Sequence, residues 1–230
     1  WCWRRGKRRS APPREVINLR GGILISVEGV EGSGKTTQLS LLADHLETMD
    51  RKVLKVREPG GTELGERVRT LLLENGGAKI SPLAELFLYF SSRAQLVEEV
   101  LRPALDAGLV ILCDRYMDAT VAYQGYGRGL DVGLIEQINR FMVGDALPDL
   151  TFLLDLEADA GLSRISGRGC DRLEAEGLAF HERVRKGYLE VASRNSQRIK
   201  IIPATRGIWE IAAEIRGYVT ALLATLMVQG

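Results

Sequence analysis

Residues 29–36 read Gly-Val-Glu-Gly-Ser-Gly-Lys-Thr and fit G-x-x-x-x-G-K-[ST] without mismatch. Such a loop works only between a strand and a helix, so it constrains the fold more than any other feature of the chain. Its glycines let successive backbone N–H groups curl around an anion, and the helix behind it turns its positive end to the same anion. The context is present. The apolar, β-branched run at 22–28 precedes the loop and suits a buried parallel strand. After the loop, Leu39, Leu42, Leu46 and Met49 recur at helical spacing. The motif implies a triphosphate held by Gly29, Val30, Glu31, Gly32, Ser33, Gly34, Lys35, Thr36 and Thr37. Lys35 would place a charge at the β- and γ-phosphates, and Thr36 would offer its hydroxyl to Mg²⁺.

The remaining chain alternates in the same way. Strands are predicted at 52–58, 109–114 and 150–156, with a fifth over Lys200–Ala204. Between them run helical patterns. One sets Leu64, Val68, Leu71 and Leu72 on a common side. Another starts at Ser81-Pro82, a cap followed by proline, and breaks or kinks at Pro103. Further helices are predicted at 134–144, 176–196 and 207–226. The expected fold is α/β: a five-stranded parallel sheet with helices on both faces, forming a single domain over 21–230. Ligands in such folds sit at the carboxyl ends of the strands. Asp114 ends one strand there and could hold Mg²⁺ indirectly or orient Arg115, whereas Asp155 ends another and reads as structural.

The net charge of +1 gives no case for nucleic-acid or membrane binding by the whole molecule. Residues 1–20 are the exception, with seven Arg or Lys against Glu15. This stretch has no hydrophobic period and reads as a flexible basic leader: a fragment, a tag or a misplaced start. An organelle transit peptide and an anionic-surface tether are the alternatives. Cys2, Cys113 and Cys170 form no CxxC pair, which indicates a reducing, cytoplasmic compartment. His45 and His181 read as solvated or packed side chains rather than metal ligands.

A guanine-reading N-K-x-D is absent, which excludes a GTPase switch, and the chain is too short for a large motor ATPase. Arginines are abundant near the predicted strand ends, more than one triphosphate needs. They suggest a second, phosphorylated substrate. Glu31 would be repelled by the triphosphate, so it should face that second substrate.

Four segments, REPGGTELGERVR (57–69), SSRAQ (91–95), DRYMDATVAYQGYGRG (114–129) and DRLE (171–174), resemble the signatures of bacterial thymidylate kinases. The resemblance covers about residues 22–215. It implies transfer of the γ-phosphoryl group of MgATP to dTMP, and a homodimer. Another pyrimidine monophosphate kinase for UMP or CMP is the alternative, as is a non-catalytic nucleotide-binding regulator. The resemblance further implies that Arg69 and Arg115 clamp the dTMP phosphate with Arg57 nearby. Arg93 would donate to thymine O4 and Tyr89 would stack on the base, with Phe90 the competing aromatic and more suited to the core. Thr120 and Gln124 would meet base or sugar, and Tyr123 would crowd the 2′ position. Glu31 would lie near the 3′-hydroxyl and the metal. A lid at about 163–175 would carry Arg164, Arg168 and Arg172. One branch of the resembled family carries a catalytic basic residue in the phosphate loop; none stands at Glu31, Gly32 or Ser33, so the resemblance implies that Arg168 and Arg172 supply the catalytic charge.

Overall fold

Five parallel strands form the sheet, in the order β2-β3-β1-β4-β5, in a computed structural model that describes residues 21–75, 79–167, 169 and 171–229. The strands are β1 (Ile23–Glu28), β2 (Val53–Arg57), β3 (Val110–Asp114), β4 (Leu150–Asp155) and β5 (Ile199–Pro203). The basic leader, Arg168 and Cys170 lie outside the described residues. β1 is buried along its whole length because both of its neighbours are strands and both of its faces are covered. Its side chains alternate between layers. Ile23, Ile25 and Val27 join Leu39, Leu42 and Leu46 of α1 (Lys35–Glu47), and Leu24 joins Leu96, Leu101 and Leu105 on the other face. Each of these buried aliphatic chains contributes about 1.5–3 kcal/mol by leaving water. Ser26, polar and buried in the middle of β1, is paired: it shares a 2.7 Å hydrogen bond with Thr151 of β4.

Side-chain caps start three further helices. Thr62 accepts from Gly65 N at the head of α2 (Glu63–Leu73), and Ser81 from Ala84 N at the head of α3 (Pro82–Leu96), where Pro82 follows the cap as expected. Asp131 does the same for α6 (Val132–Val143). α3 does not end at Pro103. It widens into a π segment, Val97–Leu101, and continues as α4 (Arg102–Asp106). Arg102 N bonds to Val97 O, five residues back. The wide turn gives the proline ring room where a regular turn would set it against the carbonyl of Glu99.

Two further differences from the sequence reading have physical causes, and one segment it did not assign is helical. On α2 the buried side is Gly65, Val68 and Leu72, while Leu64 and Leu71 are exposed, because α3 covers only one flank. Met49 lies beyond the end of α1 and is exposed. The segment after β3, which has no clear hydrophobic period, is helical: α5 (Met117–Thr120) leads into a second π segment, Val121–Gly127. The remaining helices are α7 (Ala158–Ile165), α8 (Leu178–Arg194) and α9 (Ile208–Gln229). Among the described residues, no helix is long and apolar enough to cross a membrane.

Candidate active site

The phosphate loop joins β1 to α1 at the carboxyl edge of the sheet. Its glycines are required by space and by backbone. Gly29 has φ +141°, and a Cβ there would lie 2.5 Å from Leu154 O. At Gly32, with φ +70°, a Cβ would lie 2.3 Å from Gly161 O. No side chain caps α1, so its first N–H groups stay available to an anion. Lys35 Nζ donates to Gly29 O at 3.1 Å and Val30 O at 2.9 Å. Burial, then the charge of Arg115, pulls the lysine down to about 8 against the opposing pull of Glu31, Asp114 and Glu28. Thr36 Oγ1 donates to Asp114 Oδ2 at 3.2 Å across the β1–β3 gap. A hydroxyl and a carboxylate side by side fit Mg²⁺, which keeps several waters and takes other ligands from phosphates.

Beside the loop opens a cleft of about 440 Å³. Glu31, Gly32, Gly34, Lys35, Thr36 and Thr37 line one side. Arg57, Arg69, Tyr89, Arg93, Thr120, Tyr123 and Gln124 line the rest, with Asp114 and Arg115 between. Gly29, Val30 and Ser33 support the loop without lining the cleft. Phe90 is in the core.

Arg115 ties the two sides together. It follows β3 with φ +65°, a left-handed conformation that costs a non-glycine residue about 1 kcal/mol. That backbone aims the guanidinium back at the loop. Nη1 donates to Gly29 O at 2.7 Å and to the Tyr188 hydroxyl at 3.0 Å, and Nη2 donates to Glu31 Oε1 at 2.7 Å. Tyr123 OH donates to the same Oε1 at 2.6 Å. Burial works to raise the Glu31 carboxyl, but Arg115, His181, Lys35 and Tyr123 together hold it well below the usual range. Glu31 is therefore ionised, with its carboxylate held by Arg115 and Tyr123.

The anchors beneath this site were not legible in the sequence. Glu28 ends β1, fully buried, and accepts from Tyr116 N at 2.7 Å and Tyr188 OH at 2.9 Å. Burial, helped by the charge of Asp118, pushes its carboxyl up to about 8. Arg93 is 1% exposed, and Glu58 takes its Nε at 2.8 Å and Nη2 at 2.5 Å. Asn139 Oδ1 takes Nη1 at 2.7 Å, and Thr120 Oγ1 takes Nη2 at 2.9 Å. One N–H of Nη1 is left uncommitted among the described residues. Acids at the ends of β1 and β2 were the only available signals for Glu28 and Glu58.

Arg69 donates to Pro59 O, and Arg57 pairs with Glu66, half exposed. Burial and then the nearby charge of Arg57 lower Arg69, the signature of two cations sharing one pocket. Gln124 donates to buried Glu85. The lid arginines divide. Arg164 donates to Gly32 O at 3.1 Å and Ala204 O at 3.2 Å and lines the cleft. Arg172, expected over the phosphates, lies elsewhere: it donates to Leu72 O and Glu85 Oε2, both at 2.7 Å. The buried Glu85 carboxylate captures it, together with Arg128. Arg168 lies outside the described residues. Asp155 is structural, paired with Arg185 at 2.8 Å.

Residues 27–215 match the family model described as thymidylate kinase. The chain belongs to the thymidylate kinase family. The thymidylate kinase of Deinococcus radiodurans is 51% identical over 195 residues, 84% of this chain and 94% of that protein. That of Gloeobacter violaceus is 50% identical over 204 residues, 87% and 96% respectively. The solved structure of the Ehrlichia chaffeensis thymidylate kinase superposes with a TM-score of 0.71 at 33% identity, covering 86% of this chain and 99% of that one. The thymidylate kinase fold is thus the five-stranded parallel sheet read from the strand pattern. A UMP or CMP kinase, or a non-catalytic regulator, finds no support in these matches.

Proposed function

We propose that this member of the thymidylate kinase family transfers the γ-phosphoryl group of ATP to dTMP, giving dTDP and ADP for dTTP synthesis. It is a transferase of nucleotide biosynthesis. One observation carries the reading: a single cleft joins a complete phosphate loop to a second arginine cluster, with Arg115 bonded to the loop and lying over the Tyr123 ring of the second side.

Lys35 and the loop N–H groups hold the triphosphate, and Thr36, Asp114 and Glu31 are the residues that would hold Mg²⁺. Mg²⁺, when bound, neutralises phosphate charge. Arg57, Arg69 and Arg115 bind the dTMP phosphate. Tyr89 stacks on thymine, the free N–H of Arg93 reads O4, and Thr120 and Gln124 complete the base and sugar contacts. Tyr123, its hydroxyl on Glu31, fills the space a 2′-hydroxyl would need. The lid arginine Arg164 covers the phosphates, the family resemblance assigns catalytic charge to Arg168, and Arg172 anchors the lid to Glu85. Positioning and fixed charge supply the rate, with no covalent enzyme intermediate.

The reading includes a cytoplasmic homodimer with no nucleic-acid or membrane partner. The buried free thiol of Cys113 fits a reducing compartment. α3 packs against both α2 and α6, and exposed Leu71, Phe87 and Phe141 offer an apolar face for a second copy. A coupled ADP-release assay tests the reaction. ADP release that needs dTMP and is lost in Lys35→Ala is expected; ADP release indifferent to dTMP would refute it.

A further inference from the structure

His181 is 1% exposed, and neither of its ring nitrogens has a hydrogen-bond partner among the described residues. Glu31 Oε2 is buried and unpartnered as well. These atoms face each other, with Nδ1 3.6 Å from Oε2. Buried polar atoms are rarely left unpaired, and two of them just beyond bonding distance are natural partners.

The surroundings fix which atom can move. Glu31 is held at Oε1 alone, by Arg115 and Tyr123, so a small swing about that oxygen brings Oε2 within reach of His181. The imidazole is set edge-on against Phe180, with ring centres 5.4 Å apart. α8, which carries His181, packs directly on the π segment that carries Tyr123. Three side chains from three different elements therefore converge on one carboxylate.

We propose that His181 is a positioning residue for Glu31, donating its Nδ1–H to Oε2 and fixing the carboxylate plane on the acceptor side of the cleft. The donor in this contact is the ring N–H at Nδ1. Arg115 and Tyr123 hold one oxygen and His181 the other, so the carboxylate meets the acceptor nucleotide in a single orientation. The role rests on the reading that Glu31 faces the acceptor.

Steady-state kinetics of four variants test it. His181→Phe keeps the ring and its contact with Phe180 but removes the donor. It should lower kcat/KM for dTMP about tenfold, the scale of one lost hydrogen bond to a charged group, and leave KM for ATP unchanged. His181→Asn returns an amide N–H near the Nδ1 position and should recover most of that loss. In a Glu31→Gln background, His181→Phe should add little. Wild-type kcat/KM in His181→Phe, or an equal loss in the Glu31→Gln background, would overturn the proposal. Glu31→Gln alone separates the two readings: undiminished dTMP turnover there would refute the role of Glu31 itself.

Discussion

Arg115 Nη2 donates to Glu31 Oε1 at 2.7 Å, joining the residue after β3 to the middle of the phosphate loop. Under the proposed function this contact accounts for an acid in an anion-binding loop: Arg115 neutralises Glu31, and Glu31 holds Arg115 where the phosphate of the acceptor would meet it. Lysine at position 115 keeps the charge but loses the planar fork that serves Gly29 O, Tyr188 and Glu31 together. Arg115→Lys should therefore lower kcat/KM for dTMP by about 10- to 100-fold, measured at saturating ATP. Unchanged kinetics would mean that the fork is dispensable.

Arg93, the proposed base reader, is also a fold residue, paired with buried Glu58. Its removal leaves the Glu58 carboxylate buried without a cation, a defect of about 3–5 kcal/mol. Arg93→Ala should lower the urea midpoint sharply as well as impair dTMP use. A variant of wild-type stability with only a raised KM would confine Arg93 to recognition.

The lid arginines should separate kinetically. Arg164 bonds to the Gly32 carbonyl inside the loop, whereas Arg172 bonds to Glu85. Arg164→Ala should lower kcat more than Arg172→Ala, and Arg172→Ala should cost about 1 kcal/mol of stability, because Arg128 still pairs with Glu85. The reverse order of kcat effects would return Arg172 to the phosphates.

Glu28 makes stability depend on pH. Its folded-state carboxyl is pushed up to about 8 from 4.5 by burial, with Asp118 adding to it. The folded chain therefore keeps a proton that the unfolded chain has released. Stability from this group is full below about 4.5 and is lost as pH rises towards 8. Glu28→Gln should flatten the fall in Tm between these limits. Parallel Tm profiles for both proteins would contradict the assignment.

The phosphate loop and the parallel sheet were legible because both are local: a strand, a glycine loop, and helices with a 3.6-residue period. The cleft residues were legible through their motifs, and Arg57, Arg69, Tyr89 and Arg115 do line one cavity. What escaped was long-range or irregular. The π segments that carry the helix past Pro103, and that shape Val121–Gly127, have no period to read. Glu28, Glu58 and Glu85 became partners of Tyr188, Arg93 and Arg172 only through tertiary contact. Leu64 and Leu71 kept the spacing of a buried face but lie where no described element covers them.

The most direct measurement is turnover with MgATP and each of dTMP, dUMP, UMP, CMP and AMP in parallel. The highest kcat/KM should be for dTMP, with dUMP below it and the ribonucleotides disfavoured further by Tyr123. Turnover of UMP or CMP matching or exceeding that of dTMP would contradict the account.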